Sequence, residues 1–401
     1  MSETLYGYYQ QQAILPTHGA FKSAADLAPH ERHRRRLFTD KLKLPPALFR
    51  GARLLEFGPD AGENSLVFAQ WGADCTLAEP NHKAHPVIRE YFQRFGLGAR
   101  LRTLEPWDVK NFPEPANDGE RFDLVDAEGF IYTIQPTEFW VRKCAQLTRP
   151  GGLVVLFYYE ACGGLLELML RVVQARHRAL AGLDAVASAR ALFQTKWDSI
   201  PHKRRLESWT MDVLENPFVR LKYFLDPIVL GELMAAAGMW HYSSWPAYDG
   251  GLDVHWFKRE LPGAERLRHQ RDFIRRSRLS YLFGRRHFLP HVDEAFEAGV
   301  LRLLVDVDRL IYQFTPEHAA RLAEDLALLE RGLQIAEPMS ASADTERSRQ
   351  TVTCLRQLLR VLAGGDAAAL ARFCNEDRAF IEAWGMPSHF AVFRRAEPDE
   401  V

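Results

Sequence analysis

A carboxylate at the end of a short apolar run, followed by two glycines four residues apart, can hold a flat and charged small molecule. Residues Arg53 to Ser65 read Arg-Leu-Leu-Glu-Phe-Gly-Pro-Asp-Ala-Gly-Glu-Asn-Ser. This pattern predicts a strand, a tight turn and a helix beginning near Glu63. Gly58 and Gly62 remove the Cβ atoms that would keep a ligand off the backbone. The helix start offers unpaired N–H groups, and Glu56, an acceptor-only carboxylate, can receive a ligand ammonium. A second acid strengthens the pattern. Residues 73–78 predict another strand ending in Glu79, twenty-three residues after Glu56, where an acid in a doubly wound sheet typically meets ribose hydroxyls. The apolar face of Leu66–Gln70 supplies the helix between the two strands of one βαβ unit.

Three more signals follow in order. Asp108 stands in Trp-Asp-Val after a strand predicted at 99–104, a position that equally suits the start of a helix. Phe122-Asp123-Leu124-Val125-Asp126 reads as a fourth strand, and Leu147-Thr148-Arg149-Pro150-Gly151-Gly152 leads into a fifth at 153–159. With these residues in this order, the chain over about 53–260 resembles the class I S-adenosylmethionine (SAM) dependent methyltransferases. Their first motif, acid-x-Gly-x-Gly-x-Gly, is matched by Glu56, Gly58 and Gly62, with Asp60 in place of the middle glycine. The resemblance implies a Rossmann-like α/β sheet, largely parallel and closed by a C-terminal antiparallel hairpin. It also implies SAM as cofactor: Glu56, Gly58 and Gly62 around the methionine end, Glu79 at the ribose and Asp108 at the adenine.

Methyl transfer from a sulfonium is an in-line displacement, so placing the acceptor atom supplies much of the rate. A hydroxyl acceptor additionally needs its proton removed. Ligands of open α/β sheets sit outside the carboxyl ends of the strands. That rule selects Glu128 and Tyr132 after strand four as candidate catalytic residues, with Tyr158, Tyr159 and Glu160 after strand five. His177 and His202 better suit core or surface positions. Strand four continues Asp126-Ala127-Glu128-Gly129, without the Asp/Asn-Pro-Pro-aromatic motif that grips a flipped base, which argues against nucleobase methylation.

Composition agrees with a small acceptor rather than nucleic acid. The 401 residues are 47% hydrophobic and 26% charged, with a formal net charge of −1, whereas nucleic-acid enzymes more often carry a basic excess. Five scattered cysteines without a Cys-x-x-Cys pair suit a reducing, cytoplasmic setting. The first residues lack a signal pattern, and no apolar run approaches the roughly 20 residues that cross a bilayer. His82 and His85 lack a third ligand, so no metal is expected. Arg32–Arg36 and Arg266–Arg278 are interrupted by apolar residues at helical spacing, the pattern of a solvated helix face.

The length predicts more than one domain. Residues 1–50 read as a helical extension, with Tyr6, Tyr8, Tyr9 and Gln10–Gln12 able to fold over the donor as a lid. Residues 51–260 read as the SAM-binding domain, carrying a helical insertion at 163–222 and closing with strands at 240–245 and 252–257. Residues 261–401 read as an all-helical C-terminal domain. Its apolar stripes, such as Val300, Leu303, Leu304 and Val307, need a partner surface: their own core, the sheet domain, or a second copy in a homodimer. The functional expectation is methyl transfer from SAM to a small-molecule or carrier-borne metabolite. Two rivals remain: another displacement at the sulfonium (aminocarboxypropyl transfer or cyclisation), and a non-catalytic SAM-binding subunit of a larger complex.

Overall fold

The computed structural model describes residues 4–12, 15, 21–201, 204–250, 263–291 and 293–397. Short apolar runs form seven strands: β1 (Arg53–Phe57), β2 (Asp74–Ala78), β3 (Leu101–Glu105), β4 (Phe122–Glu128), β5 (Thr148–Tyr159), β6 (Met239–Trp245) and β7 (Ser388–Arg395). They build one sheet in the order β3-β2-β1-β4-β5-β7-β6. Pairings from β3 across to β5 are parallel, while β6 and β7 run antiparallel. Parallel strands need crossovers. Here the helices Glu63–Gln70, His85–Arg94 and Thr137–Leu147 provide them.

The N-terminal residues form α1 (Leu5–Gln12) and α2 (Ala24–Arg36), and the crossover helices are α3 (Glu63–Gln70), α4 (His85–Arg94) and α5 (Thr137–Leu147). Ser23 caps α2 through a reciprocal box with Asp26. The residues read as an extension are part of the core. Leu27, Phe38 and Phe49 are fully buried together with Phe68 and Trp71 of the sheet domain. Phe49 and Phe68 stack at 5.3 Å, with Phe38 and Trp71 edge-on to them.

The chain divides into two compact units. The first holds the residues through Tyr158, Pro227–Arg268 and the segment from His389 onward; the second holds Tyr159–Asp226 and His269–Ser388. The second unit is helical. The helical insertion begins with two helices, α6 (Leu165–Ala181) and α7 (Ala185–Asp198), separated where Gly182 turns to a positive φ. Inside that unit the buried Lys196 donates to the Phe380 carbonyl at 2.6 Å and to the Ala383 carbonyl, and lies over the Trp384 ring. Arg278 joins Asp226 at 2.9 Å.

Two boundaries therefore differ from the sequence reading. The inserted helices share a unit with the C-terminal helices instead of belonging to the sheet domain, and residues 388–395 are a strand, not part of a helical tail. The antiparallel neighbour of β6 is this last strand. The expected hairpin strand at 252–257 lies outside the described residues. The physical reason is the size of the intervening segment: more than a hundred residues separate the paired strands, and no turn chemistry announces such a pairing.

Because β7 lies between β5 and β6, its loss exposes the backbone groups of two strands at once. Ending the chain at Pro387 should abolish the cooperative thermal transition and cause aggregation, as followed by circular dichroism and light scattering. A dispensable tail would leave the melting curve unchanged.

Candidate functional site

The turn after β1 begins at Gly58, whose N–H donates to the Ala78 carbonyl at 2.9 Å. Gly58, Asp60 and Gly62 all have positive φ, at 61°, 52° and 84°. Asp60 thus keeps the left-handed backbone that a glycine would adopt freely, a conformation Asp tolerates better than most residues. The two glycines also allow close packing. A Cβ on Gly58 would sit 2.9 Å from the Phe130 ring, and one on Gly62 would sit 3.0 Å from Ile88 of α4.

Both strand-end acids are buried beside this turn. Glu79 accepts the N–H of Asp60 at 3.0 Å and that of Asn81 at 2.7 Å. Burial pushes its carboxyl up to about 8 despite these donors. Glu56 accepts the Ser65 hydroxyl, and burial, with the nearby charge of Glu128, raises its carboxyl as well. Asp108 is placed at the end of β3. Its Oδ1 accepts the N–H groups of Lys110 and Asn111 at 2.8 and 3.0 Å, closing a turn where the sequence also allowed a helix start. Its other oxygen accepts the Tyr6 hydroxyl at 3.2 Å, and Gln10 Nε2 reaches the Pro80 carbonyl at 3.4 Å. Helix α1 therefore crosses the carboxyl ends of β2 and β3.

Glu128 closes the arrangement at the end of β4. Arg34 of α2, itself buried, forks onto both of its oxygens at 2.5 and 2.8 Å, and Asn64 donates to it at 3.4 Å. Tyr132 is buried in the short turn Ile131–Thr133. On the other sheet face, Tyr158, Tyr248 and His389 form a buried chain, with Tyr248 and His389 at 2.9 Å. Glu160 and Tyr159 fall in the helical unit, as does His177, which meets Ser188 at 2.8 Å. His202 lies outside the described residues. Among the described residues no group of three or more His, Cys, Asp or Glu could hold a metal ion, and no helix is long and apolar enough to cross a membrane.

Sequence reasoning missed three participants. Arg34 was read with its neighbours as part of a solvated face, although Leu27, Arg34 and Phe38 share one helical stripe that turns inward. Phe130 carries no motif of its own. Asp126 was seen only as a strand residue, yet its alternation with Glu128 puts both on one face.

A largely parallel sheet with a glycine turn after its first strand and buried acids at the ends of the first two defines an open, Rossmann-like α/β protein. A family described as "Methyltransferase domain" matches residues 30–239, more than half of the chain. The protein belongs to this methyltransferase family, whose methyl donor is S-adenosylmethionine. The chain is 30% identical over 104 residues to a ubiquinone biosynthesis O-methyltransferase of Rhizobium leguminosarum, spanning 26% of this chain and 39% of that protein. It is 32% identical over 110 residues to its namesake in Cereibacter sphaeroides, with 27% and 42% covered. The matches thus span about two fifths of the length of these relatives. A SAM-dependent methyltransferase structure from Mesorhizobium loti is similar over 33% of this chain and 53% of its own, at 18% identity and a TM-score of 0.26.

The donor fits the chemistry of the residues present: two buried acids flank the turn, Glu79 receiving only backbone N–H groups and Glu56 only the Ser65 hydroxyl, so each keeps acceptor capacity for a ligand. Raised carboxyls also set a pH dependence. The folded protein keeps the Glu79 proton up to about pH 8, whereas an unfolded chain loses it near 4.5. Over that window the folded state binds more protons, so stability falls as pH rises, by at most about 1.4 kcal/mol per pH unit for each such group. Denaturant midpoints should decline from about pH 5 to about pH 8, and Glu79→Gln should flatten the slope. Breaking the Arg34–Glu128 pair gives a second expectation. Arg34→Met should cost about 1.5–3 kcal/mol because the half-buried Glu128 loses its charge-assisted hydrogen bonds, and adding Glu128→Leu should recover part of it. Equilibrium unfolding of both variants checks the difference.

Proposed function

We propose that this chain transfers the methyl group of SAM to a small-molecule or carrier-borne metabolite. The observation that carries the reading is the convergence of Glu56 and Glu79 on the glycine turn after β1. In this reading Glu79 holds the ribose hydroxyls, Glu56 the donor ammonium, and Gly58 and Gly62 the backbone path between them. Asp108 serves the adenine end, with α1 as the lid whose Tyr6 hydroxyl already reaches it. The lid excludes water, which strengthens every charge interaction beneath it.

A hydroxyl is the acceptor to test first, because the two relatives above are named for O-methyl transfer. Glu128 suits a positioning role better than that of a general base. Accepting a proton would neutralise the carboxylate that Arg34 grips and leave a buried guanidinium uncompensated. Tyr132 remains the proposed side chain nearest the acceptor end of β4. The aromatic residues Phe193, Trp197 and Trp209 of the insertion pack against one another inside the helical unit, as core rather than as an acceptor surface.

Mass analysis of the spent donor distinguishes the reactions. Methyl transfer gives S-adenosylhomocysteine, while attack on the aminocarboxypropyl carbon gives methylthioadenosine. We expect S-adenosylhomocysteine from the purified chain with a phenolic or carrier-borne acceptor. Glu79→Gln should weaken SAM binding roughly ten- to a hundredfold, because Gln replaces one of the two oxygens that pair with the ribose hydroxyls, a loss worth about 1–3 kcal/mol. Titration calorimetry reads that change, and an unaltered affinity would remove Glu79 from the donor site.

A further inference from the structure

Three carboxyl side chains meet at the carboxyl ends of β1 and β4, opposite one guanidinium. Glu56 and Asp126 are register partners on adjacent parallel strands, so both leave the same face of the sheet. Glu128, two residues further along β4, leaves it too. Both terminal nitrogens of Arg34 are engaged by Glu128. Glu56 receives the Ser65 hydroxyl. Asp126, only 1% exposed, receives no N–H or O–H donor on either oxygen among the described residues, and its carboxyl lies within hydrogen-bond reach of Glu128. A buried carboxylate without donors or a counter-ion is strongly disfavoured, and a like charge beside it adds to the penalty.

The surroundings relieve it only in part, through the charge of Arg34. From α2, Arg34 is committed to Glu128, and His30 is held neutral because burial pushes its ring down to about 4. From α3 come Glu63, whose charge adds to the repulsion at Glu56, and the uncharged Ser65. From β2 comes Cys75, its thiol raised by burial and then by Glu56. Burial raises both Glu56 and Asp126, and the charge of Glu128 raises them further. Burial and the neighbouring charge thus favour the protonated forms of Glu56 and Asp126.

We propose that Glu56 and Asp126 form a proton-exchanging pair that senses the charge of the donor, so that the protein holds the sulfonium form in preference to the thioether product. The inference rests on the donor reading above. Bound SAM brings an ammonium and a sulfonium against one carboxylate, a net single positive charge, and one proton leaves the pair for solvent. When the methyl group is transferred, the S–C bond breaks and its electron pair stays on sulfur. The product is then net neutral, and one proton returns to the pair from solvent or from the acceptor hydroxyl. Raising the pH from 6 to 8 therefore strengthens donor binding and leaves product binding nearly level.

Titration calorimetry on the full chain at pH 7, in phosphate and in Tris, measures the proton count with SAM and with S-adenosylhomocysteine as probes. We expect release of up to about one proton with SAM and little with the product. Asp126→Asn should reduce the release and lower the donor-over-product affinity ratio by about threefold to tenfold. Equal proton release with both ligands in the unsubstituted chain would overturn the proposal without reference to any variant, as would a folded Asp126→Asn protein with unchanged count and ratio. Absence of binding by both ligands would remove the donor reading, and this inference with it.

Discussion

One buried guanidinium facing two buried carboxyls and the half-buried Glu128 is the interaction around which the sheet unit is arranged. Parallel strands end at the same edge, so acids placed at their carboxyl ends accumulate there. Glu56, Asp126 and Glu128 do so on one face, and Arg34 reaches them only because α2 is packed into the core through Leu27 and Phe38. The aromatic cluster that fixes α2 thereby sets the charge at the site. Core packing and site electrostatics are one problem here, since shifting α2 would uncover the carboxyl that its arginine neutralises.

Much of this was legible in the sequence where chemistry and chain order coincide. The acid, turn and helix from Arg53 to Gln70, the second acid at Glu79, and the strands through Tyr159 each rest on local periodicity and local turn residues. These are the features that a single segment specifies by itself. The positive φ of Asp60 explains why a departure from the glycine motif leaves the turn path intact.

What stayed hidden depends on contacts between distant segments. Strand β7 pairs with β6 across more than a hundred intervening residues, and its own alternation in Ser388–Arg395 carries no sign of its partner. Arg34 sits in a run of five basic residues, Arg32–Arg36, in which only its helical phase marks it as buried. The inserted helices and the C-terminal helices were legible one by one, but their common unit was not, because amphipathic stripes state that a partner is needed without naming it.

The central claim is that the nucleoside donor lies against the turn after β1, between the acids of β1 and β2. A crystal structure of the full chain with S-adenosylhomocysteine tests it most directly. The account predicts density for the ribose hydroxyls within hydrogen-bond distance of Glu79 and for the amino group beside Glu56. Density at any other place, with the Gly58 turn left uncovered, would contradict it.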